Sequence, residues 1–312
     1  VMQRAGSRGA DTRTVLDGTR TLAVTHETVY RYAQPVTASA HVFRLRPVHD
    51  ELQAVLSHRL DITPPGEATS FEDLFGNSAT HYRPATPFTE MRVVSHSTVR
   101  LWAPPPLASP AHTALVLPLV WPPSEQRVLQ PLLNAPELPT EELRALADYA
   151  DGVAERNDYD LVATLLDLSA TMKQEFTYMP GVTTVQTTPY EVLESHRGVC
   201  QDFANLFISL VRLLRVPARY RVGYVFTGAD YDNPEQGEES HAWVECYLPW
   251  LGWRGFDPTN GRTVSVDHVR VACGRHYLDA TPTSGTIRAG GGGESLRVRV
   301  EVRELSSVEA AG

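Results

Sequence analysis

Apolar and polar residues alternate along the first hundred positions, and the apolar period lengthens to three or four after residue 140. Alternation marks half-buried strands, and Thr21–Tyr32, Ala40–Pro47, Leu56–Thr63, Ser78–Tyr82 and Met91–Leu101 all carry it, with a turn at Asp73–Asn77. Short strands at this spacing predict a sandwich-like antiparallel β module over residues 20–120. Proline becomes frequent from Pro104 onward, and residues 121–139 read as a linker with little regular structure. Helical periods follow. Thr140 stands as a cap before Glu141 and Glu142, and Asp158 or Asp160 caps a helix striped by Leu161, Leu165, Leu168 and Met172. Pro189 opens a short helix at its first position. Residues Gln201–Arg215 form the most apolar helix, with a stripe of Phe203, Phe207, Leu210 and Leu214 widened by Leu206 and Leu213. A helix this apolar belongs in a core. Strands resume at Ala218–Phe226, Ser240–Leu248 and Trp253–Thr259. Gly290–Gly293 reads as a flexible tether, and Leu296–Val302 as a late strand free to join either sheet. The pattern predicts an α+β chain: the β module, the linker, and a mixed unit over 140–305.

Chemistry enters at Cys200, in the first turn of the apolar helix, with Gly198 letting the chain turn into it. A lone cysteine is more often a small buried hydrophobe. Its setting argues otherwise. A helix N-terminus and an adjacent imidazolium both favour a thiolate over a thiol. His241 follows after 41 residues at the start of a strand, and Asp257 after 16 more at the end of the next. A hairpin sets the acid beside the histidine, so Asp257 fixes one ring nitrogen of His241 and leaves the other for the thiol. The three residues fit the roles of nucleophile, base and orienter.

Gly-Val-Cys200-Gln-Asp-Phe-Ala, Ser-His241-Ala-Trp-Val-Glu and Gly-Phe-Asp257-Pro-Thr-Asn resemble the three signature blocks of the transglutaminase-like superfamily of papain-like thiol enzymes. The nearest likeness is to its bacterial subgroup of cysteine-protease type, in which a β-rich leader like that around Thr25–Tyr32 precedes the core. The resemblance implies a papain-like core in which a helix bearing the cysteine packs on an antiparallel sheet bearing the histidine and the acid. The catalytic domain is then 140–305. It implies thiol-dependent hydrolysis of a peptide or amide bond through an acyl-thioester, with no cofactor. Amine transfer or peptide cyclisation is an alternative that uses the same triad. An inactive binding module is another, against which the retention of all three residues speaks. The chain departs from the animal enzymes where Gln201 replaces the Trp that follows their nucleophile, and in having no Trp between Trp121 and Trp243 to serve the oxyanion hole. These departures favour water as acceptor. They leave the Cys200 backbone N–H as one oxyanion donor and Tyr178 as a candidate for the second, with Gln201 a candidate for positioning substrate.

Composition narrows the partners. The 312 residues suffice for two cores, and a net charge of −9 with scattered Lys and Arg excludes a phosphate-backbone partner. His26, His41, His49, His58 and His81 match no metal-ligand spacing and read as surface residues; no dense acidic loop of calcium type is present. Three cysteines make no even disulfide framework, and Cys246 falls on the apolar face of its strand. A working thiol suits a reducing compartment, and the longest apolar run near the start is Leu22–Val24, so neither a signal segment nor a membrane partner is expected and the cytoplasm is the default. The loop 227–239, rich in glycine and acids, is placed as a lid or specificity loop before His241. The sequence does not fix the oligomeric state.

Overall fold

The computed structural model describes residues 18–107, 115–228 and 240–306. Most of the loop placed as a lid, residues 229–239, lies outside the described residues. Five strands come first: β1 (Thr19–Phe43), β2 (Gln53–Thr63), β3 (Gly66–Glu72), β4 (Ser78–Pro84) and β5 (Phe88–Trp102). Strand β1 runs for 25 residues because a buried residue recurs at every second position through its first half. That half pairs with β5 from Thr19 to Arg31, and β2 lies beyond β5. A register shift between Arg31 and Val36 turns the strand, and its second half pairs with β4, beyond which lies β3. Tyr32, Val36, Phe43, Tyr82, Phe88 and Met91 from the two halves form an apolar cluster of their own.

Three helices follow: α1 (Pro123–Leu133), α2 (Thr140–Glu155) and α3 (Leu161–Glu175). The segment expected as a linker is thus largely helix α1, whose Leu129 and Leu133 are buried in the main core. Proline at the first positions of a helix lacks an N–H that would be unpaired there anyway, so Pro-rich composition hid this element. Thr140 does not cap α2; Pro139 occupies the cap position and Thr140 is the first helical residue. Asp160 caps α3 by accepting the Ala163 N–H at 2.8 Å, whereas Asp158 takes a left-handed conformation in the preceding turn.

The remaining elements are β6 (Thr177–Tyr178), α4 (Pro189–Ser195), β7 (Arg197–Gly198), α5 (Cys200–Leu213), β8 (Ala218–Val225), β9 (His241–Leu248), β10 (Gly252–Asp257), β11 (Arg262–Thr263), β12 (His268–Gly274), α6 (Tyr277–Ala280), β13 (Thr283–Gly290) and β14 (Ser295–Glu304). Strands β11-β10-β9-β8-β12 make an antiparallel sheet, and α5 packs its apolar stripe against β8 and β9. This is the expected α+β core, a cysteine-bearing helix on a sheet bearing the histidine and the acid. Cys246 is fully buried there, as its face predicts.

The C-terminal strands leave this sheet. Strand β13 pairs with the second half of β1 and β14 with its first half, so the β module takes strands from both ends of the chain. The mixed unit assigned to 140–305 therefore gives its last two strands to the other sheet. The glycines expected as a tether form the turn between them. The turn is docked, with Gly291 N–H bonded to Pro35 O and Gly292 O bonded to Ala33 N–H.

The two sheets share one core. Leu22, Val24, Val99, Leu101 and Val300 of the β module cluster with α5 and β8. His26 and His41, expected at the surface, are buried, and His26 Nδ1 lies 3.0 Å from the Tyr224 hydroxyl across the junction. Two side-chain amides complete the contact by imitating a strand along β12. Gln53, fully buried, accepts the Arg270 N–H at 2.8 Å and donates to Arg270 O and Val48 O. Asn77 makes the same reciprocal pair with the backbone of Cys273, at 2.8 and 2.7 Å. Each amide satisfies an edge-strand N–H, of Arg270 and of Cys273, that would otherwise be buried unpaired. Gln53→Leu strands the Arg270 N–H and the Val48 carbonyl in the junction, while Arg270 O keeps the Val48 N–H, so it should lower stability by about 1–3 kcal/mol in urea unfolding. A variant with unchanged midpoint would show that the junction carries no such load.

Candidate active site

The approach to Cys200 is built by a carboxylate. Asp202 Oδ2 accepts the Val199 N–H at 2.8 Å and the Thr183 hydroxyl at 2.6 Å, closing the first turn of α5. Gly198 is needed for space and not for backbone freedom: a Cβ there would lie 2.8 Å from Asp202 Cβ. Cys200 is the first residue of α5 and half-buried, while Cys246 and Cys273 are buried; all three are free. Its N–H belongs to the helical first turn, where no carbonyl of the helix can reach it. Tyr178 pairs in register with Gly198, two residues ahead of the cysteine, and its ring stands edge to face with that of Phe203. Gln201 follows on the same turn, half-buried. Tyr220 and Tyr277 stand edge to face at 6.1 Å; burial raises both hydroxyl pKa values, and the nearby Cys200 adds to the rise.

Strand β9 starts at His241, and β10 ends at Asp257. His241 Nε2 lies 2.9 Å from Asp257 Oδ2, and both residues are buried. The Cys200 side chain lies close enough to His241 to raise the pKa of its ring. Since Nε2 faces the acid, Nδ1 is the nitrogen left for the sulfur. The three residues predicted from sequence thus converge.

Asp257 receives more than the histidine. Its Oδ1 accepts the backbone N–H groups of Thr259 and Asn260 at 3.1 and 3.2 Å. Its Oδ2 accepts Asn260 Nδ2 at 2.6 Å and His268 Nε2 at 3.2 Å in addition to His241. Burial would favour the neutral acid, but His241 and His268 hold the carboxyl well below the usual range. Burial likewise opposes the charged form of His241; Asp257 and the Cys200 side chain reverse this and raise its pKa to about 10. Sequence reading missed both supporting residues. Asn260 had a signal, because Asp-Pro-Thr-Asn spells a turn in which an aspartate binds the next backbone N–H groups. His268 had none, because strands β9 and β8 separate β10 from β12 in the sheet and nothing in the order of residues reports that crossing.

The chain resembles known proteins in sequence and in fold. Residues 22–100 match the profile of the bacterial transglutaminase-like N-terminal region, and residues 140–258 match that of the transglutaminase-like superfamily. An uncharacterized protein of Mycobacterium tuberculosis is 33% identical over 304 residues, covering 92% of this chain and 94% of its own. A protein-glutamine gamma-glutamyltransferase of Pseudomonas aeruginosa is 30% identical over 122 residues, 37% of this chain and 18% of its own. Among solved structures, a "putative cysteine protease" from Cytophaga hutchinsonii shares the fold with a TM-score of 0.65 at 23% identity, covering 93% of this chain and 92% of that one.

Two outcomes follow from the geometry. Iodoacetamide near neutral pH should label Cys200 well before Cys246 or Cys273, as read by peptide mass mapping; an inert Cys200 beside a labelled Cys246 would remove the nucleophile. Asp257→Asn leaves only the Cys200 side chain to oppose burial at His241, so NMR titration should show its pKa falling well below about 10. The signs for stability are opposite for the two residues. The His241 contribution is complete below pH 6.5 and disappears as the pH rises through about 10. That of Asp257 is present above its ordinary 3.8 and is lost on acidification.

Proposed function

As the chain belongs to the transglutaminase-like superfamily, we propose that it is a thiol-dependent hydrolase of peptide or amide bonds acting through an acyl-thioester. The observation that carries this reading is the buried His241–Asp257 pair with the Cys200 side chain as its third member. His241 holds a proton at neutral pH in this arrangement, the state that pairs with a thiolate. The Cys200 sulfur attacks the substrate carbonyl carbon, and the negative charge moves to the carbonyl oxygen. The backbone N–H of Cys200 faces that oxygen as one donor, and Tyr178, beside Gly198, is the candidate for the second; Gln201 positions substrate. His241 Nδ1 then gives its proton to the departing amine as the C–N bond breaks, leaving the acyl group on sulfur. A water molecule attacks the thioester, His241 takes one of its protons, and the acid leaves as the C–S bond breaks. Asp257 stays ionised throughout and orients the ring. The substrate is a peptide or another amide; no cofactor takes part in these steps, and a reducing compartment such as the cytoplasm suits the thiol.

A second reading has its own support. The segment shared with the gamma-glutamyltransferase gives amine transfer or peptide cyclisation a claim, since an amine can replace water at the thioester. Water is favoured because it needs no binding site, and Gln201 stands where the animal enzymes carry Trp.

One experiment separates the readings. A peptide library is incubated with the protein, with and without millimolar labelled primary amine, and products are read by mass spectrometry. The free acid should dominate in both arms. His241→Ala should slow its formation by about 10²–10⁴-fold, while His196→Ala, a residue stacked on Phe176 at 4.5 Å, should not. Mostly amide product would promote the transferase, and no turnover with or without Cys200 would leave a binding module.

A further inference from the structure

Asp257 holds two histidines, and one of them serves no thiol. His268 opens β12, and its Nε2 lies 3.2 Å from Asp257 Oδ2. Its other ring nitrogen, Nδ1, accepts the Ser265 backbone N–H at 3.3 Å. A nitrogen that accepts carries no proton, so the proton of His268 sits on Nε2 and is donated to the carboxylate. The residue is 1% exposed, and its ring stands edge to face with Trp243 at 5.3 Å. Burial keeps His268 below its ordinary pKa, in spite of Asp257. The charged groups facing it are Asp257 on β10, His241 on β9 and Arg262 on β11. Asp267, its neighbour in the chain, is taken by Arg20 of β1. Both His241 and Arg262 repel a second positive charge at this point.

We propose that His268 is a positioning residue for the Cys200–His241–Asp257 triad, a neutral Nε2–H donor that fixes Asp257 Oδ2 toward His241 without drawing on its charge. The inference deepens the thiol-hydrolase reading and rests on it. Backbone N–H groups hold Oδ1, so the direction of Oδ2 is set by the side chains that reach it. Asn260 comes from the adjoining turn at 2.6 Å, and His268 comes from the far strand of the sheet. A cation in the place of His268 would compete with His241 for the same oxygen; a neutral donor does not. A neutral donor also favours the ionised carboxylate, which no water can solvate here. Without it the carboxylate is less firmly ionised and less firmly aimed, and the imidazolium of His241 loses part of its support.

The test needs no substrate. Alkylation of Cys200 by iodoacetamide is followed against pH in the full chain, together with NMR titration of His241. His268→Phe keeps an aromatic ring and removes the donor; His268→Gln keeps an N–H. The Phe variant should move the acid limb of alkylation to higher pH by about one unit and lower the His241 pKa by a similar amount. The Gln variant should restore both. A folded His268→Phe protein with both unmoved, or a Gln variant displaced as far as Phe, overturns the proposal and assigns His268 to packing alone. Should the Phe variant fail to fold, nitrogen-15 spectra of the unaltered protein decide. A bare Nδ1 and protonated Nε2 through neutral pH support the role, and a cationic His268 ends it. A His241→Ala control distinguishes the two readings: an alkylation profile unchanged by that substitution would remove the thiol-enzyme reading itself.

Discussion

A fully buried carboxylate is the constraint on which the site depends. Asp257 has no water to stabilise its charge, so the protein must supply every donor. The supply comes from three places at once: the turn that follows it, strand β9 through His241, and strand β12 through His268. The charge so maintained is what keeps a proton on His241, and that proton is what a thiolate needs beside it. The turn, the hairpin and the far edge strand are thus coupled through one oxygen atom.

The outer face of the same sheet carries a second buried charge. Glu245 accepts hydrogen bonds from Arg221 and Arg219, each at 2.7 Å, and Arg219 lies over the Trp253 ring at 4.0 Å. Burial alone would neutralise Glu245; the two guanidinium groups hold it well below the usual carboxylate range. Gly223, on the strand beside, has no room for a side chain, since a Cβ would lie 1.9 Å from Val269 O. The same absence of a side chain leaves room for the Trp243 ring, which a Cβ there would meet at 2.6 Å and which packs against His268. The β module, through Gln53 and Asn77, clasps β12 from its other edge. Holding β12 is therefore also a way of holding His268.

Much of this was legible in the chain. The stripe of Phe203, Phe207 and Leu210 marks a buried helix wherever it occurs, and the order Cys200, His241, Asp257 implies a hairpin that delivers acid to base. The alternation around Thr25–Tyr32 names a strand. What escaped was contact at long range. A histidine such as His268 is indistinguishable in sequence from a surface one, because its burial is decided by residues far away in the chain. His26 and His41 were misread for the same reason. Pro122 and Pro123 suggested an irregular segment, although proline is at home in the first turn of a helix. The pairing of β14 was open because Leu296–Val302 fits any antiparallel edge.

Strand β1 bears on the order in which the protein can be completed. Among the described elements it is made before β13 and β14, the strands that flank it on one side. Until β13 and β14 emerge, that side of β1 presents unpaired backbone groups. The catalytic helix and sheet are synthesised in the interval, with their share of the common core still lacking Val300. Pairing at such separation is slow to form and leaves an exposed edge to be shielded meanwhile. The β module is thus completed only after the catalytic helix and sheet have been made.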